Sequence, residues 1–140
     1  QRSKIRRGGT QRTQRVELNE ISAQIVDAAM KVHTALGPGL LENAYEICLK
    51  YELEKRDLRV QQQVALPVMY DGVRIDLGYR LDLLVEDQVI VELKTVDRMI
   101  PVHEAQLLSY LKLSNRRLGL LINFNVVHLR TGIKRMVNNL

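Results

Sequence analysis

The chain predicts an α/β fold, a four-stranded mixed sheet flanked by helices. Three observations carry that expectation. Apolar residues recur at three- and four-residue spacing over 17–36 and 40–56, as on one face of a helix. Between 73 and 94 they alternate with polar residues at the period of two that a half-buried strand shows. The run Leu118-Gly-Leu-Leu-Ile-Asn-Phe124 is the apolar kind found in strands covered on both faces, and it follows a helical stripe, as a crossover would.

In chain order, a first helix is expected from about Glu17 to Leu36, capped by Asn19 or a neighbour, with Ile21, Ile25, Ala28, Val32 and Leu36 on one face. Gly37-Pro38-Gly39 stops it, because proline cannot continue a helix and glycine permits positive φ. A second helix should run from about Leu40 to Arg56, turning Leu41, Ala44, Tyr45, Cys48, Leu49 and Leu53 inward. Its first turn holds Glu42, beside the positive end of the helix dipole. Val60 to Tyr70 reads as a strand pushed towards an edge by Pro67. Asp71-Gly72 is a type I′ hairpin signal leading into a long strand, Val73 to Val85. A polar turn at Glu86-Asp87 precedes the strand Val89 to Lys94. Pro101 opens a helix through about Leu113, on which His103, Gln106 and Tyr110 share a stripe. After the strand 118–124, a final helical turn or two is expected over Ile133 to Val137.

With 140 residues, 46% of them hydrophobic, the chain suits one globular domain rather than a disordered one. No apolar run approaches the roughly 18 residues that span a membrane, and no secretory signal opens the sequence. Cys48 has no cysteine to pair with, so a reducing, cytoplasmic setting is expected. The net charge of +5 is unevenly spread. Residues 1–15 hold six basic residues and no acid, which leaves 15 basic against 16 acidic residues in the remainder. The reading is a disordered basic tail over 1–16 and a near-neutral domain over 17–140. The tail could grip nucleic-acid phosphates without regard to sequence, or serve only as a solubilising extension.

The chemistry concentrates on the pair of strands before the third helix. In the strand ending at Val85, Arg74, Asp76, Gly78, Arg80 and Asp82 point one way, while Val73, Ile75, Leu77, Tyr79, Leu81, Leu83 and Val85 point the other. In the next strand, Glu92 and Lys94 oppose Val89, Val91 and Leu93. Across a short turn, Asp82 falls opposite or diagonal to Glu92, at a Cβ separation of roughly 5 Å that lets two carboxylates share a divalent cation. An ordinary strand also carries such charges on a solvated face. Here the flanking apolar residues suggest a central strand covered on both sides, where a charge is costly unless paired or metal-bound. No zinc pattern exists, since His33, His103 and His128 are scattered and there is one cysteine. Gly37-Pro-Gly lacks the Gly-Lys-Ser/Thr tail of a phosphate-cradling loop.

The element order, with Asp82 and Glu92-Leu-Lys94 on adjacent strands, resembles the PD-(D/E)XK nuclease superfamily and its restriction-endonuclease-like αβββαβ core. Gly39-Leu-Leu-Glu42-Asn-Ala-Tyr45, Gly78-Tyr-Arg-Leu-Asp82, Val91-Glu-Leu-Lys94 and His103-Glu-Ala-Gln106 bring the likeness closer to its GxxExxY branch, over roughly Glu17 to Val137. The set Gly78-x-x-x-Asp82, Glu92-x-Lys94 and Gln106-x-x-x-Tyr110 also resembles RecB-like nuclease domains.

The resemblance implies hydrolysis of phosphodiester bonds in DNA with Mg²⁺ or Mn²⁺, and the RecB-like helix points to ends or single strands; RNA is not excluded. It implies Asp82, Glu92, the Leu93 carbonyl and Glu42 as metal ligands, hard oxygen donors suited to those cations. Lys94 would position the attacking water and Gln106 would orient substrate or a ligand. On the residues alone, Glu42 is equally a helix-start acid, and Gln106 an exposed helix glutamine. Arg80, Tyr45 and Tyr110 are candidate substrate contacts; the tyrosines are equally packing residues, and Arg80 could instead pair with a carboxylate. The rival expectation is a catalytically silent module that keeps this fold to bind nucleic acid or protein. The near-neutral domain and the scarcity of aromatic residues, 4%, favour it and suggest dependence on a homodimer or protein partner.

Overall fold

The computed structural model describes residues 11–140. Helix α1 (Gln11–Leu36) begins earlier than its apolar stripe suggests, so residues 11–16, expected in the basic tail, are its first turns. The rest of that expected tail, residues 1–10, lies outside the described residues. Leu18, Ile21, Ile25, Ala28, Ala29 and Val32 form the buried face of α1. Helix α2 (Glu42–Lys55) starts at Glu42, which leaves Leu41, expected to point inward, as an exposed residue just ahead of it.

The strands are β1 (Val60–Ala65), β2 (Val68–Tyr70), β3 (Val73–Ile75), β4 (Arg80–Val85), β5 (Val89–Lys94), β6 (Leu118–Asn123) and β7 (Ile133–Val137). Helix α3 (Pro101–Ser114) crosses from β5 to β6. The main sheet has the order β1-β4-β5-β6-β7 and is mixed: β5 and β6 run parallel, and every other pair runs antiparallel. Helices α1 and α2 pack on one face, and α3 covers the other. The expected mixed sheet with helices on both faces is therefore present, with five strands instead of four.

The fifth strand is β7, where a helical turn was expected. Ile133 packs on the α1/α2 side and Met136 on the α3 side, an odd spacing that reaches both faces from a strand. A five-residue apolar-polar run is too short for periodicity to separate the two conformations. The chain reaches β7 through a 3₁₀ turn, Leu129–Gly132, that brings Gly132 against the Asn123 carbonyl, where a Cβ would overlap the oxygen.

The two long strands expected before β5 are each broken. Leu66 N–H still donates to Tyr79 O at 2.8 Å, continuing the β1–β4 pairing. Beyond it Pro67 supplies no donor, and an Asx turn at Asp76, whose Oδ1 accepts from Gly78 N–H at 3.0 Å, redirects the partner strand. Gly78 takes φ +77° there. Strands β2 and β3 consequently leave the sheet as a separate ribbon, closed by the expected turn with Asp71 and Gly72 both at positive φ.

A finer departure lies inside the sheet. Val60 and Leu83 pack towards α1 and α2, whereas Val64 and Leu81 pack towards α3. Leu81 and Leu83, expected on one face, thus look to opposite sides. Both strands reverse at the row containing Gln63 and Asp82, and Gln63 sits at φ +53°. No helix among the described residues is long and apolar enough to cross a membrane.

The close approach at Gly132 yields a stability prediction. Gly132→Ala forces a methyl into the Asn123 carbonyl and should cost about 1–3 kcal/mol, read as a lowered urea midpoint at constant m. An unchanged midpoint would show that the turn before β7 yields freely.

Candidate active site

At the row Gln63–Asp82–Glu92, side chains take over from the backbone ladder. The β4–β5 register pairs Leu83 with Val91 and then opens, so Asp82 faces Glu92 without direct main-chain bonds. Asp82 N–H donates to Glu92 Oε2 at 2.8 Å, and Leu93 N–H donates to Asp82 Oδ2 at 2.9 Å. Each acid thus binds an amide freed by the opening, a charge-assisted bond worth about 1.5–3 kcal/mol. On the other flank, Gln63 Nε2 donates to Asp82 Oδ1 at 3.3 Å and to Glu46 Oε1 at 2.9 Å. The left-handed backbone at Gln63 accompanies an amide that bridges β4 and α2.

Glu42, the first residue of α2, is half-buried, and Glu46 lies one turn later with 5% of its surface exposed. Glu46 Oε2 also accepts from Gln62 Nε2 at 2.5 Å. Lys94, half-buried at the end of β5, donates to Gln106 Oε1 on α3 at 3.5 Å and forms no ion pair among the described residues. Tyr110 is buried one turn beyond Gln106, its ring 6.0 Å from that of Tyr79.

The electrostatics follow from crowding acids in a poorly hydrated place. Burial, with the neighbouring Asp82 next in weight, pushes the Glu92 carboxyl up to about 8. Asp82 is also raised by burial, against the opposing pull of the Leu93 amide. Glu42 is raised by burial and then by Asp82, and the Tyr110 hydroxyl by burial and then by Glu92. The cluster holds excess negative charge that a cation would relieve.

The donor set fits a hard divalent cation: two facing carboxyl groups, each with lone pairs left open by its bond to a backbone amide. It is not a closed cage. Among the described residues, no three acidic, histidine or cysteine side chains converge to enclose an ion, so Glu42 stands near the pair without joining it.

The structure brings Glu42, Asp82, Glu92, Lys94, Gln106 and Tyr110 to one end of the sheet. It removes Tyr45 from the candidate substrate contacts. Tyr45 is wholly buried, its hydroxyl donates to Gly37 O and accepts from Leu40 N–H at 3.1 Å, and its ring stacks 4.5 Å from Phe124. The stack fixes α2 against β6 and is worth about 0.5–1.5 kcal/mol beyond the area it buries. Arg80 is exposed and pairs with no carboxylate among the described residues. His103 accepts from Ile100 N–H at 3.2 Å through Nδ1 and so caps α3.

Three residues escaped the sequence reading. Glu46 had a visible signal, since like charges at i and i+4 on a helix repel and persist only for a reason. Gln63 had none. Asn123 is buried beside Lys94, where its side chain accepts from Val96 N–H at 3.1 Å and donates to Val96 O at 2.9 Å, pinning the loop after β5.

Comparison with known proteins agrees with this geometry. The sequence profile described as the PD-(D/E)XK nuclease superfamily matches residues 19–136. No curated protein matches the chain. The crystal structure of SSO0001 superposes with a TM-score of 0.52 at 17% identity, covering 91% of this chain. The chain spans 63% of the length of that one, and the likeness is one of fold.

The raised Glu92 carboxyl predicts how stability should vary with pH in EDTA. Its folded pKa lies above its unfolded value of about 4.3, so its proton stabilises the fold fully below that value. That contribution is lost as pH rises through about 8. The urea midpoint should fall between about pH 5 and pH 9, and fall less in Glu92→Gln, which carries no titrating proton. Parallel profiles for the two proteins would rule out the buried acid pair as the cause.

Proposed function

Because the chain belongs to the PD-(D/E)XK nuclease superfamily, we propose that it is a metal-dependent nuclease hydrolysing phosphodiester bonds in DNA, with Mg²⁺ or Mn²⁺ as cofactor. The observation that carries this reading is the facing pair Asp82 and Glu92 at an opened strand ladder, with Lys94 on the same strand as Glu92. A structural ion pair would have placed a base against these acids. Here Lys94 makes no ion pair among the described residues and donates to Gln106, and its attraction does not offset the burial that raises the acids.

A divalent cation bound between the carboxylates supplies charge neutralisation at the phosphate and a more acidic water. The protein's own groups do the rest. Asp82 and Glu92 keep one oxygen each on a backbone amide, which fixes the direction of their remaining lone pairs. The Leu93 carbonyl, and Glu42 through a bridging water, would be the further oxygen donors. Lys94, steadied by Gln106, presents its ammonium to the attacking water and to the non-bridging phosphate oxygens. The water oxygen forms the new bond to phosphorus, the ester P–O bond breaks, and the leaving oxygen ends protonated. Arg80 and Tyr79 are exposed at the rim and suit phosphate and base contact. The Gln106/Tyr110 stripe on α3 favours ends or single strands as substrate, and the four motifs together favour the GxxExxY branch.

End-labelled single-stranded, duplex and branched DNA, with RNA beside them, test the proposal in Mg²⁺, Mn²⁺ or EDTA. Cleavage should require the metal, and Asp82→Ala, Glu92→Ala and Lys94→Ala should each lower it by at least about 10²–10³-fold. Metal-independent products, or near-normal rates in any of the three, would refute the mechanism.

A further inference from the structure

A sizeable cavity lies away from the acids. It is an open pocket of about 630 Å³ between the C-terminal end of α1 and the segment joining β6 to β7. Met30 and Val127 give it apolar wall, while His33, Thr34, His128 and Arg130 supply polar groups, and no acidic side chain lines it. Arg130 is exposed and makes no ion pair among the described residues. Val127 keeps 78% of its surface in solvent and so offers an open apolar face at the pocket's edge. This mix of apolar wall and a few hydrogen-bond donors, at a few hundred Å³, is that of a small-ligand site.

The pocket and the acid cluster are neighbours across one aromatic layer. His33 on the pocket side donates through Nε2 to Val126 O at 2.8 Å and lies 6.4 Å from the Phe124 ring. Phe124 stacks on Tyr45, which is one turn from Glu42 and whose hydroxyl donates to the carbonyl of the pocket residue Gly37. Phe124 N–H in turn donates to Lys94 O at 3.0 Å. Both sites thus sit at the C-terminal ends of the parallel pair β5 and β6, where open sheets place ligands.

Charge balance favours a second site on the domain. At the opening, Glu42, Glu46, Asp82 and Glu92 outnumber Lys94, and outside residues 1–15 the chain carries a net −1. Affinity for a nucleic-acid strand then draws on basic groups away from the acids, in the segment 1–15 or elsewhere on the domain. We infer that this pocket is a nucleotide subsite for the strand being cut: a base lies on the Met30–Val127 wall and a backbone phosphate meets Arg130 and His128. The inference rests on the nuclease reading for its choice of ligand.

Fluorescence anisotropy of a fluorescein-labelled single-stranded oligodeoxynucleotide with the full chain in EDTA tests it apart from cleavage. Arg130→Ala and Val127→Asp should each raise Kd about tenfold. Arg130→Ala should also reduce the slope of log K against log salt by about 0.7–1, the loss of one phosphate contact. In Mn²⁺ the same variants should raise KM. Both side chains are exposed, and either variant alone suffices should the other fail to fold. Wild-type Kd and salt slope in both would overturn the subsite. DNA that is bound in a pocket-dependent way yet never cut would uphold the subsite and sink the nuclease reading. DNA cut with normal KM by both variants would do the reverse, and a wild-type chain that neither binds nor cuts would end both.

Discussion

The structure depends on an exchange of hydrogen-bond partners at a single level of the sheet. Between Leu83 and Val91 the ladder is made of backbone; one residue further, Asp82 and Glu92 each accept the other strand's amide. A carboxylate placed in a sheet interior without such partners would be expensive. An amide left by splayed strands would be equally unsatisfied. Each deficit answers the other, so the opening and the acids are one feature. The reversal of faces in β1 and β4 accompanies it, sending Leu81 and Val64 to the α3 side and leaving Leu83 and Val60 under α1 and α2.

The surrounding elements bring their functional groups to that opening through their ends. Helix α2 contributes its first two turns, with Glu42 and Glu46. Strand β5 contributes its last residue, Lys94, whose position is held from below by the Phe124 amide and from the side by Gln106. Asn123 ties down the loop that follows. The Tyr45–Phe124 stack then serves two purposes, anchoring α2 over the sheet and forming the partition behind which the larger pocket lies.

Much of this was legible because the signals were local and periodic. The alternation in 80–85 and 89–94 placed Asp82 opposite or diagonal to Glu92, and the helical signals gave α2, α3 and the end of α1 to within two residues, though not the start of α1. What the sequence hid was non-local. Nothing in a Gln-Gln-Gln run marks the residue that takes φ +53°, since that conformation is imposed by Asp82 and Glu46 from other elements. Tyr45 belonged to a motif and so looked functional, yet its partners, Phe124 and the Gly37–Leu40 loop, make it a packing residue. The strand β7 needed β6 beside it to be recognisable, as short segments take their conformation from the sheet they join.

The double duty of the two acids also bears on how this fold can drift in evolution. An amide side chain retains one carbonyl oxygen, enough to accept the amide that Asp82 or Glu92 now accepts, while losing the charge that attracts a cation. One oxygen-to-nitrogen replacement therefore leads from a metal-binding scaffold to an inert one with its sheet intact. Replacement by alanine has no such neutral route, because it orphans a buried amide. Descendants that lose the chemistry should accordingly carry asparagine or glutamine at these two positions more readily than small apolar residues.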